Sequence, residues 1–352
     1  MPQKLRALLF GCLVTLTASE IAGRVWLAWF ASESDFSKYA PPTWVAPEQR
    51  MYRAHPYTAY TLNPLYRSRD GRNRHNALGY RGEELALEKP AGTYRILVLG
   101  GSTTYETGVS EHTQTFTAQL QRILRDRAGA PPLEVINAGC PSWNSWESLV
   151  DLEFRGLELE PDLVVVYCGT NEVHPRLVPP ESYRRDNAGF RRGWVEDWSW
   201  WERSVVLRRA GMLFGAARKN SVSGMTEIDY DGLDQAACLD ANSPRFYADN
   251  LENMIAVSRQ HGAQVLIANW AWCSEFEDDY ASDPDYQRGF RETNEVSKRV
   301  ADRNGVAFFD YVAVMPTEKR FWKDGRHVNA EGARVKAELF AAFIEPRFLA
   351  RR

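Results

Sequence analysis

The chain has 352 residues, of which 44% are hydrophobic and 25% charged, and its formal net charge is −3. This size allows a full hydrophobic core, and the dispersed charge argues against nucleic acid as a partner. Neither a Cys-x-x-Cys nor a His-Glu-x-x-His pattern occurs, so no structural or catalytic metal is expected.

The amino terminus, residues 1–31, is predicted to be a transmembrane signal-anchor. Lys4 and Arg6 precede the apolar run, a charge pattern that favours a cytoplasmic amino terminus and an exported body. The run is long enough to span a bilayer, although Glu20 and Arg24 interrupt it. These two residues lie four apart and can pair on one helical face. A cleaved signal peptide and a helix buried in the core remain as alternatives.

Residues 32–90 are predicted to connect the anchor to the main domain. The part up to residue 50 is polar and contains prolines, which is typical of a linker. The part that follows is rich in Tyr, Arg and Asn and has turn signals at Asn63-Pro64 and Asp70-Gly71. It is expected to form an irregular lead-in segment that packs on the main domain.

The main domain is predicted to occupy residues 91–352, where short apolar runs alternate with amphipathic stretches. The predicted strands are 95–99, 133–137, 163–168, 264–269 and 306–310. The predicted helices lie near 114–127, 144–158, 245–261, 286–304 and 330–346. This alternation predicts an α/β fold, with a five-stranded parallel sheet that is covered by helices on both faces.

The alternation is interrupted by a predicted insertion, residues 174–243. It contains the aromatic residues Trp194, Trp198, Trp200 and Trp201, followed by the basic residues Arg203, Arg208 and Arg209. Three interpretations stay open: a helical excursion that packs its aromatic side chains onto the domain, a lid over the site, or a segment at a membrane interface.

Five cysteines suit an oxidising compartment only loosely, because at least one of them must stay unpaired. Cys238 and Cys273 flank a predicted helix–strand unit, and a disulfide between them is a hypothesis. Cys140 and Cys168 are interpreted as small buried hydrophobic residues.

The candidate functional residues lie where predicted strands end. The first strand runs into Gly100-Gly101-Ser102, a turn that lifts the serine above the sheet. The second strand is followed by Gly139 and the third by Asn171. Because ligands of open α/β sheets bind beyond the carboxyl ends of the strands, these residues are expected to meet at one site.

Asp324 and His327 come late in the chain, three residues apart and close enough to meet on one turn. A serine, a histidine and a carboxylate are the nucleophile, base and orienting acid of a serine hydrolase. The backbone N–H groups of Ser102 and Gly139 and the side-chain amide of Asn171 are the predicted oxyanion donors. The Gly-x-Ser-x-Gly elbow of an α/β-hydrolase is absent from the sequence.

At these residues the chain resembles the SGNH (GDSL-like) hydrolase superfamily, over about residues 94–343. The matches to its four motif blocks are Ser102 (the nucleophile), Gly139, Asn171, and Asp324 with His327 (the Asp-x-x-His pair). The resemblance implies a three-layer α/β/α, flavodoxin-like sandwich and ester hydrolysis or acyl transfer without a cofactor. Residues 76–82 also resemble the approach segment of membrane-anchored bacterial members.

Two positions depart from the family pattern. Gly101 stands where an Asp usually precedes the nucleophile, and Glu172 stands where an Asp commonly follows Asn171. Gly-Gly-Ser-Thr is a familiar variant of the family and therefore implies no loss of activity. Glu172 and His174 are interpreted as structural or surface residues rather than catalytic ones.

The predicted function is a serine esterase that removes short acyl groups, such as acetyl, from a carbohydrate or lipid of the cell envelope. Three alternatives stay open: an O-acyltransferase of envelope polysaccharide, a lipase or lysophospholipase-like deacylase, and a non-catalytic protein that binds a glycan or a partner. The catalytic body is expected to be exported, either held at the membrane by the N-terminal helix or secreted after signal cleavage.

Overall fold

The structure, a computed structural model, describes residues 2–127, 131–191, 198–217, 232–277 and 279–349. The strands are β1 (Tyr52–His55), β2 (Ala59–Leu62), β3 (Tyr94–Gly100), β4 (Leu133–Gly139), β5 (Leu163–Tyr167), β6 (Gln264–Ala268) and β7 (Ala307–Phe309). The helices are α1 (Gln3–Trp29), α2 (Glu33–Tyr39), α3 (Ser102–Tyr105), α4 (Phe116–Arg125), α5 (Ser145–Asp151), α6 (Val205–Leu213), α7 (Gln235–Ala241), α8 (Arg245–Gln260), α9 (Pro284–Asn304) and α10 (Ala330–Ile344).

Strands β3 to β7 form a five-stranded parallel sheet in the order β4-β3-β5-β6-β7. This is the doubly wound, flavodoxin-like order, so the predicted fold is confirmed. The register pairs Gly100 at the end of β3 with Gly139 of β4 and with Tyr167 of β5. The carboxyl ends of these three strands therefore meet at one edge of the sheet.

Helices cover both faces of the sheet, which makes the domain a three-layer sandwich. β3 is buried along its whole length, and its alternate side chains point into two separate apolar cores. Ile96 and Val98 pack with side chains of α4 and α10, whereas Leu97 and Leu99 pack with side chains of α8. Burial on both faces explains why β3 reads as a continuous apolar run.

Two predicted elements differ from the structure. The predicted helix 144–158 is α-helical only over α5, and it continues as a π-helical turn, Leu152–Gly156, and a 3₁₀ turn, Leu157–Leu159. A Cβ at Gly156 would lie 2.7 Å from Leu97 Cδ2, so the chain passes very close to the sheet there. The last strand is also shorter than predicted, because only Ala307–Phe309 pairs with β6.

The lead-in segment packs on the domain as expected. β1 and β2 form an antiparallel hairpin, and Tyr60 and Leu62 of β2 join a small apolar cluster with Tyr105, Cys140 and Trp143. The indole N–H of Trp143 donates to the carbonyl of Tyr60 at 3.2 Å. The segment is therefore an integral part of the folded domain, and it lies next to the carboxyl edge of the sheet.

The N-terminal helix α1 is 27 residues long and apolar enough to cross a membrane. At a rise of 1.5 Å per residue it measures about 40 Å, more than the hydrocarbon thickness of a bilayer. Its apolar side chains from Leu5 to Leu16 are exposed, which excludes a helix buried in the core of the described residues. The predicted pairing of Glu20 with Arg24 is confirmed, since Arg24 Nε lies 2.6 Å from Glu20 Oε1.

Within the predicted insertion, two of the tryptophans pack internally. The ring of Trp198 lies 4.9 Å from the Arg208 guanidinium, and the ring of Trp201 lies against Gly211 of α6. Trp200 is 79% exposed. Trp194 lies outside the described residues.

The hypothesis of a disulfide between Cys238 and Cys273 is wrong for this structure, because both are free thiols. Cys273 Sγ lies 3.0 Å from the carbonyl oxygen of Thr317, so its thiol has a hydrogen-bond acceptor instead of a sulfur partner. Cys140 and Cys168 are buried, in keeping with their interpretation as small hydrophobic residues.

Candidate active site

Ser102, His327 and Asp324 lie together at the carboxyl edge of the sheet. Nε2 of His327 is 2.8 Å from Oγ of Ser102. Nδ1 of the same ring is 2.9 Å from Oδ2 and 3.0 Å from Oδ1 of Asp324. The chain thus brings a hydroxyl, an imidazole and a carboxylate into one hydrogen-bonded line, although 225 positions separate the serine from the histidine.

The Asp324 carboxylate is held in its ionised form. Burial alone would raise its pKa, but the hydrogen bond and charge of the His327 ring outweigh burial and hold the pKa well below its usual range. The backbone N–H groups of Arg326 and His327 donate to Oδ1 at 2.9 and 2.8 Å. A carboxylate fixed in this way orients the imidazole and stabilises its charged form.

Ser102, the predicted nucleophile, lies on a tight turn that glycine makes possible; this turn is called the nucleophile turn below. Gly100 has a φ of +153°, a conformation that side chains rarely allow, and a Cβ there would collide with Thr104 and with the carbonyl of Tyr167. The single-turn helix α3 starts at Ser102 directly after this bend. Ser102 is partly exposed, whereas the three following residues of α3 are buried.

Two buried cations, which the sequence analysis did not single out, bind the carbonyl end of α3. Arg81 donates from Nη1 to the carbonyls of Tyr105 and Glu106, at 2.6 and 2.8 Å. Lys336 of α10 donates to the carbonyl of Thr103 at 2.7 Å, and burial lowers its pKa to about 8. Cations at the carbonyl end of a helix are favourable, so both residues stabilise the turn that carries Ser102.

Asn171 lies beside the nucleophile turn. Its amide nitrogen donates to the carbonyl of Trp143 at 2.7 Å, which uses one of its two hydrogens. A Cβ at position 101 would lie 2.5 Å from this nitrogen and 2.8 Å from the Trp143 carbonyl oxygen. Because Gly101 has no side chain, the Asn171 amide and the Trp143 carbonyl can lie against the backbone directly before Ser102.

Gly139 lies beneath the nucleophile turn rather than at its rim. Its N–H donates to the side-chain oxygen of Asn137 at 3.1 Å, and a Cβ on it would collide with the backbone of Thr104 and Tyr105. The structure thus gives Gly139 a packing role, and its role as an oxyanion donor stays a prediction. Ser142, three residues after Gly139, has a φ of 64°. This strained backbone conformation could not be predicted from the sequence.

Glu172 is a buried structural carboxyl. It accepts hydrogen bonds from the Ser145 backbone N–H at 2.6 Å and from the Ser145 hydroxyl at 2.9 Å, at the start of α5. Burial raises the pKa of Glu172 to about 8, despite these hydrogen bonds. Glu172 therefore keeps its proton at neutral pH in the folded protein.

We expect Glu172→Gln to remove part of the pH dependence of stability. The unfolded chain loses this proton near pH 4.5 and the folded chain near pH 8, so the stability that the neutral carboxyl contributes is lost as the pH rises through this window. The neutral amide should raise the free energy of unfolding at pH 8 by roughly 4 kcal/mol relative to wild type, with little change at pH 4. Urea unfolding at both pH values tests this, with exposed Glu153→Gln as the control; equal pH dependence in both variants would contradict it.

The loop that contains Asp324 and His327 is held by a clamp, which consists of Cys273, Asp279 and Tyr280. Arg326 donates from Nε to both carboxylate oxygens of Asp279, at 3.0 and 3.1 Å, and its guanidinium lies 4.0 Å from the ring of Tyr280. The backbone N–H of Cys273 donates to the carbonyl of Gly325 at 2.9 Å. The segment between β6 and α9 therefore holds Gly325 and Arg326, the two residues between Asp324 and His327.

We expect Asp279→Ala to lower kcat by about 10-fold to 100-fold with little change in KM, because a small displacement of the base is costly. Asp279→Asn keeps an acceptor oxygen for Arg326 and should recover most of the loss. Steady-state kinetics on an activated ester measures this, and exposed Glu277→Ala is the matched control. An Asp279→Ala enzyme with wild-type kcat would show that the clamp does not position the base.

The fold and this geometry define the class of the protein. A serine, a histidine and a carboxylate in hydrogen-bonded line, at the carboxyl edge of a flavodoxin-like sheet, are the arrangement of a serine hydrolase. The sequence matches the GDSL-like lipase/acylhydrolase family over residues 98–335. The chain belongs to this family and is a hydrolase that acts on ester bonds.

Two solved structures are among those to which the chain is similar. A lipase/acylhydrolase from Enterococcus faecalis is 18% identical, with 74% of this chain and 98% of that chain covered and a TM-score of 0.46. A GDSL-like lipase from Bacteroides thetaiotaomicron is 16% identical, with 74% and 92% covered and a TM-score of 0.44. No curated protein matches the sequence.

Proposed function

We propose that Ser102 is the nucleophile, His327 the general base and Asp324 the orienting acid of ester hydrolysis. The observation that carries this proposal is the distance of 2.8 Å between His327 Nε2 and Ser102 Oγ. His327 takes the hydroxyl proton as Oγ attacks the acyl carbonyl, and it then protonates the leaving alcohol. Water attacks the acyl-serine in the second half, with His327 again as the base, and releases the carboxylic acid.

The negative charge that develops on the acyl oxygen needs hydrogen-bond donors. We assign this role to the Ser102 backbone N–H and to one side-chain amide hydrogen of Asn171. The other amide hydrogen of Asn171 is donated to the carbonyl of Trp143, which fixes the orientation of the side chain. The Gly139 N–H is the third predicted donor. It must give up its hydrogen bond to the Asn137 side chain before it can donate to the acyl oxygen.

We expect Asn171→Ala to lower kcat by about 10²–10³, the usual cost of removing one oxyanion donor. The substitution leaves the hydrogen bonds among Ser102, His327 and Asp324 in place, so KM for a small ester should change little. The measurement is kcat and KM on p-nitrophenyl acetate, with Asn304→Ala on α9 as the control. Near-wild-type turnover of Asn171→Ala would remove Asn171 from the site.

The proposed substrate carries a short acyl group, such as acetyl, on a carbohydrate or lipid of the cell envelope. This proposal rests on the ester chemistry of the family and on the proposed position of the domain, because an exported body at the membrane faces the carbohydrates and lipids of the envelope. A cavity of about 300 Å³ between α5 and α8 is lined mainly by apolar residues and includes neither Ser102 nor His327.

We propose that α1 remains on the protein as a membrane anchor and that the hydrolase domain is exported. Lys4 and Arg6, before the apolar segment, favour a cytoplasmic amino terminus. The helix is long enough to span the bilayer and is exposed along its first half. Mass spectrometry of the amino-terminal peptide from isolated membranes tests retention, and protease digestion of intact cells tests the side on which the domain lies.

The catalytic proposal is tested with the full chain in detergent micelles. Turnover of p-nitrophenyl acetate, butyrate and octanoate gives the acyl-length preference, and acetate release from an acetylated polysaccharide is compared with fatty-acid release from phospholipid. We expect the acetyl ester and the polysaccharide to be preferred. A preference for octanoate and phospholipid would instead make the protein a lipid deacylase.

A further inference from the structure

The end of α1 is joined to the insertion by polar contacts. Glu20 Oε2 accepts hydrogen bonds from the Ser204 hydroxyl at 2.7 Å and from the Val206 N–H at 3.1 Å, while Oε1 accepts from the Val205 N–H at 3.2 Å. Arg24 donates from Nη2 to the carbonyl of Arg203 at 3.0 Å. Glu20 and Arg24, the two charged residues in the second half of α1, are thus engaged at the start of α6.

Apolar contacts support the same junction. Leu27 of α1 is fully buried and packs in one cluster with Val205 of α6 and with Phe36 and Ala40. A Cβ at Gly23 would lie 3.0 Å from Val205 Cγ1, so the glycine allows α6 to approach α1 closely. The two helices therefore form one packed unit over the last third of α1.

The side of α1 that faces away from this junction stays apolar and exposed. Ile21 is 58% exposed, Val25 45% and Trp29 80%, and Phe30 directly after the helix is 75% exposed. These residues continue the exposed apolar surface of the first half of α1. Because lipid is the environment that suits such a surface, α6 is attached at the level where α1 passes through the membrane interface.

The outward surface of α6 has the composition of an interfacial helix. Leu207 is 44% exposed, Leu213 80% and Phe214 86%, and the basic residues Arg203 and Arg209 are exposed beside them. Large apolar side chains together with arginines on a short helix are typical of segments that lie in the headgroup region. At nine residues α6 is only about 14 Å long, so all of it lies close to its junction with α1.

We propose that α6 is an interfacial membrane helix, which places Leu207, Leu213 and Phe214 in the same bilayer that α1 spans. This proposal rests on the proposed anchoring of α1. The lipid contact fixes the insertion at the membrane surface at a second point, beside the anchor. The hydrolase domain then has a defined orientation toward the surface instead of turning freely on a single helix.

The test is a depth measurement on the full chain in vesicles of phosphatidylcholine and phosphatidylglycerol. A spin label is attached to the exposed native Cys12 on α1, and, in a Cys12→Ser background, to Phe214→Cys. The matched control is Leu87→Cys, an exposed apolar position near the amino end of β3, at the opposite edge of the sheet from the site. Collision rates with oxygen and with a water-soluble nickel chelate distinguish lipid from water.

We expect the labels at positions 12 and 214 to collide mainly with oxygen, and the label at position 87 to collide mainly with the nickel chelate. A lipid-exposed label at 12 together with a water-exposed label at 214 would overturn the proposal for α6 while the anchor stands. Water exposure at both positions would overturn the anchor as well.

Discussion

Ser102→Ala should lower kcat/KM on p-nitrophenyl acetate by about 10⁴–10⁶, the largest effect that we expect from any single substitution. The alanine removes the only hydroxyl that lies within hydrogen-bonding distance of His327 Nε2 among the described contacts. His327→Ala should cost about as much, and the double variant little more than either single one, because the two side chains act as a unit.

The matched control for this experiment is Ser110→Ala, which changes an exposed serine eight positions further along the chain. Urea unfolding of all variants separates a chemical effect from a folding effect, since Ser102 is partly exposed and its loss leaves no large cavity. A fluorophosphonate that labels wild type but not Ser102→Ala identifies the nucleophile directly. Turnover within 10-fold of wild type in Ser102→Ala would reject the assignment of the nucleophile.

Asp324→Asn should lower kcat by about 10⁴ while KM changes little. The aspartate accepts bonds from the His327 ring and from two backbone N–H groups, and all three need an acceptor. An asparagine that keeps its oxygen toward the two backbone donors turns its NH₂ toward Nδ1, so the imidazole adopts the tautomer with a proton on Nε2. A ring in that tautomer cannot accept the proton of Ser102.

Asp126→Asn, which changes an exposed aspartate at the end of α4, is the control for this prediction. Proton NMR of wild type and Asp324→Asn identifies the nitrogen that carries the hydrogen. If Asp324→Asn keeps more than a tenth of wild-type kcat, orientation by this carboxylate is not a major part of catalysis.

The fold was predictable from the sequence because buried parallel strands leave a strong local pattern. The runs at 95–99 and 163–168 contain mostly β-branched and leucine residues, and both lie within a few residues of β3 and β5. The meeting of Ser102, Asp324 and His327 was predictable for another reason. Asp324 and His327 lie three residues apart, and a serine follows a strand end, so little three-dimensional information was needed.

The partners of the nucleophile turn could not be predicted in this way. Arg81 and Lys336 lie 21 positions before and 234 positions after Ser102. Arg81 belongs to the segment 76–82 that resembles the family, but nothing in that segment indicates that it contacts the turn at Ser102. The N–H of Gly139 donates to the side chain of Asn137, two residues earlier in the same strand, and its role as an oxyanion donor stays a prediction. The contacts of Arg81 and Lys336 depend on how distant elements pack together, which short motifs do not encode.

The support of α3 by Arg81 and Lys336 also concerns how the enzyme matures. One of these cations lies in the lead-in segment before the sheet, and the other lies on the last helix. A chain that emerges from the ribosome or crosses a membrane amino terminus first acquires Ser102 long before His327 and Lys336. With His327 as the proposed base, we expect no activity before the last helix has followed, so ester hydrolysis should begin only where the folded domain resides.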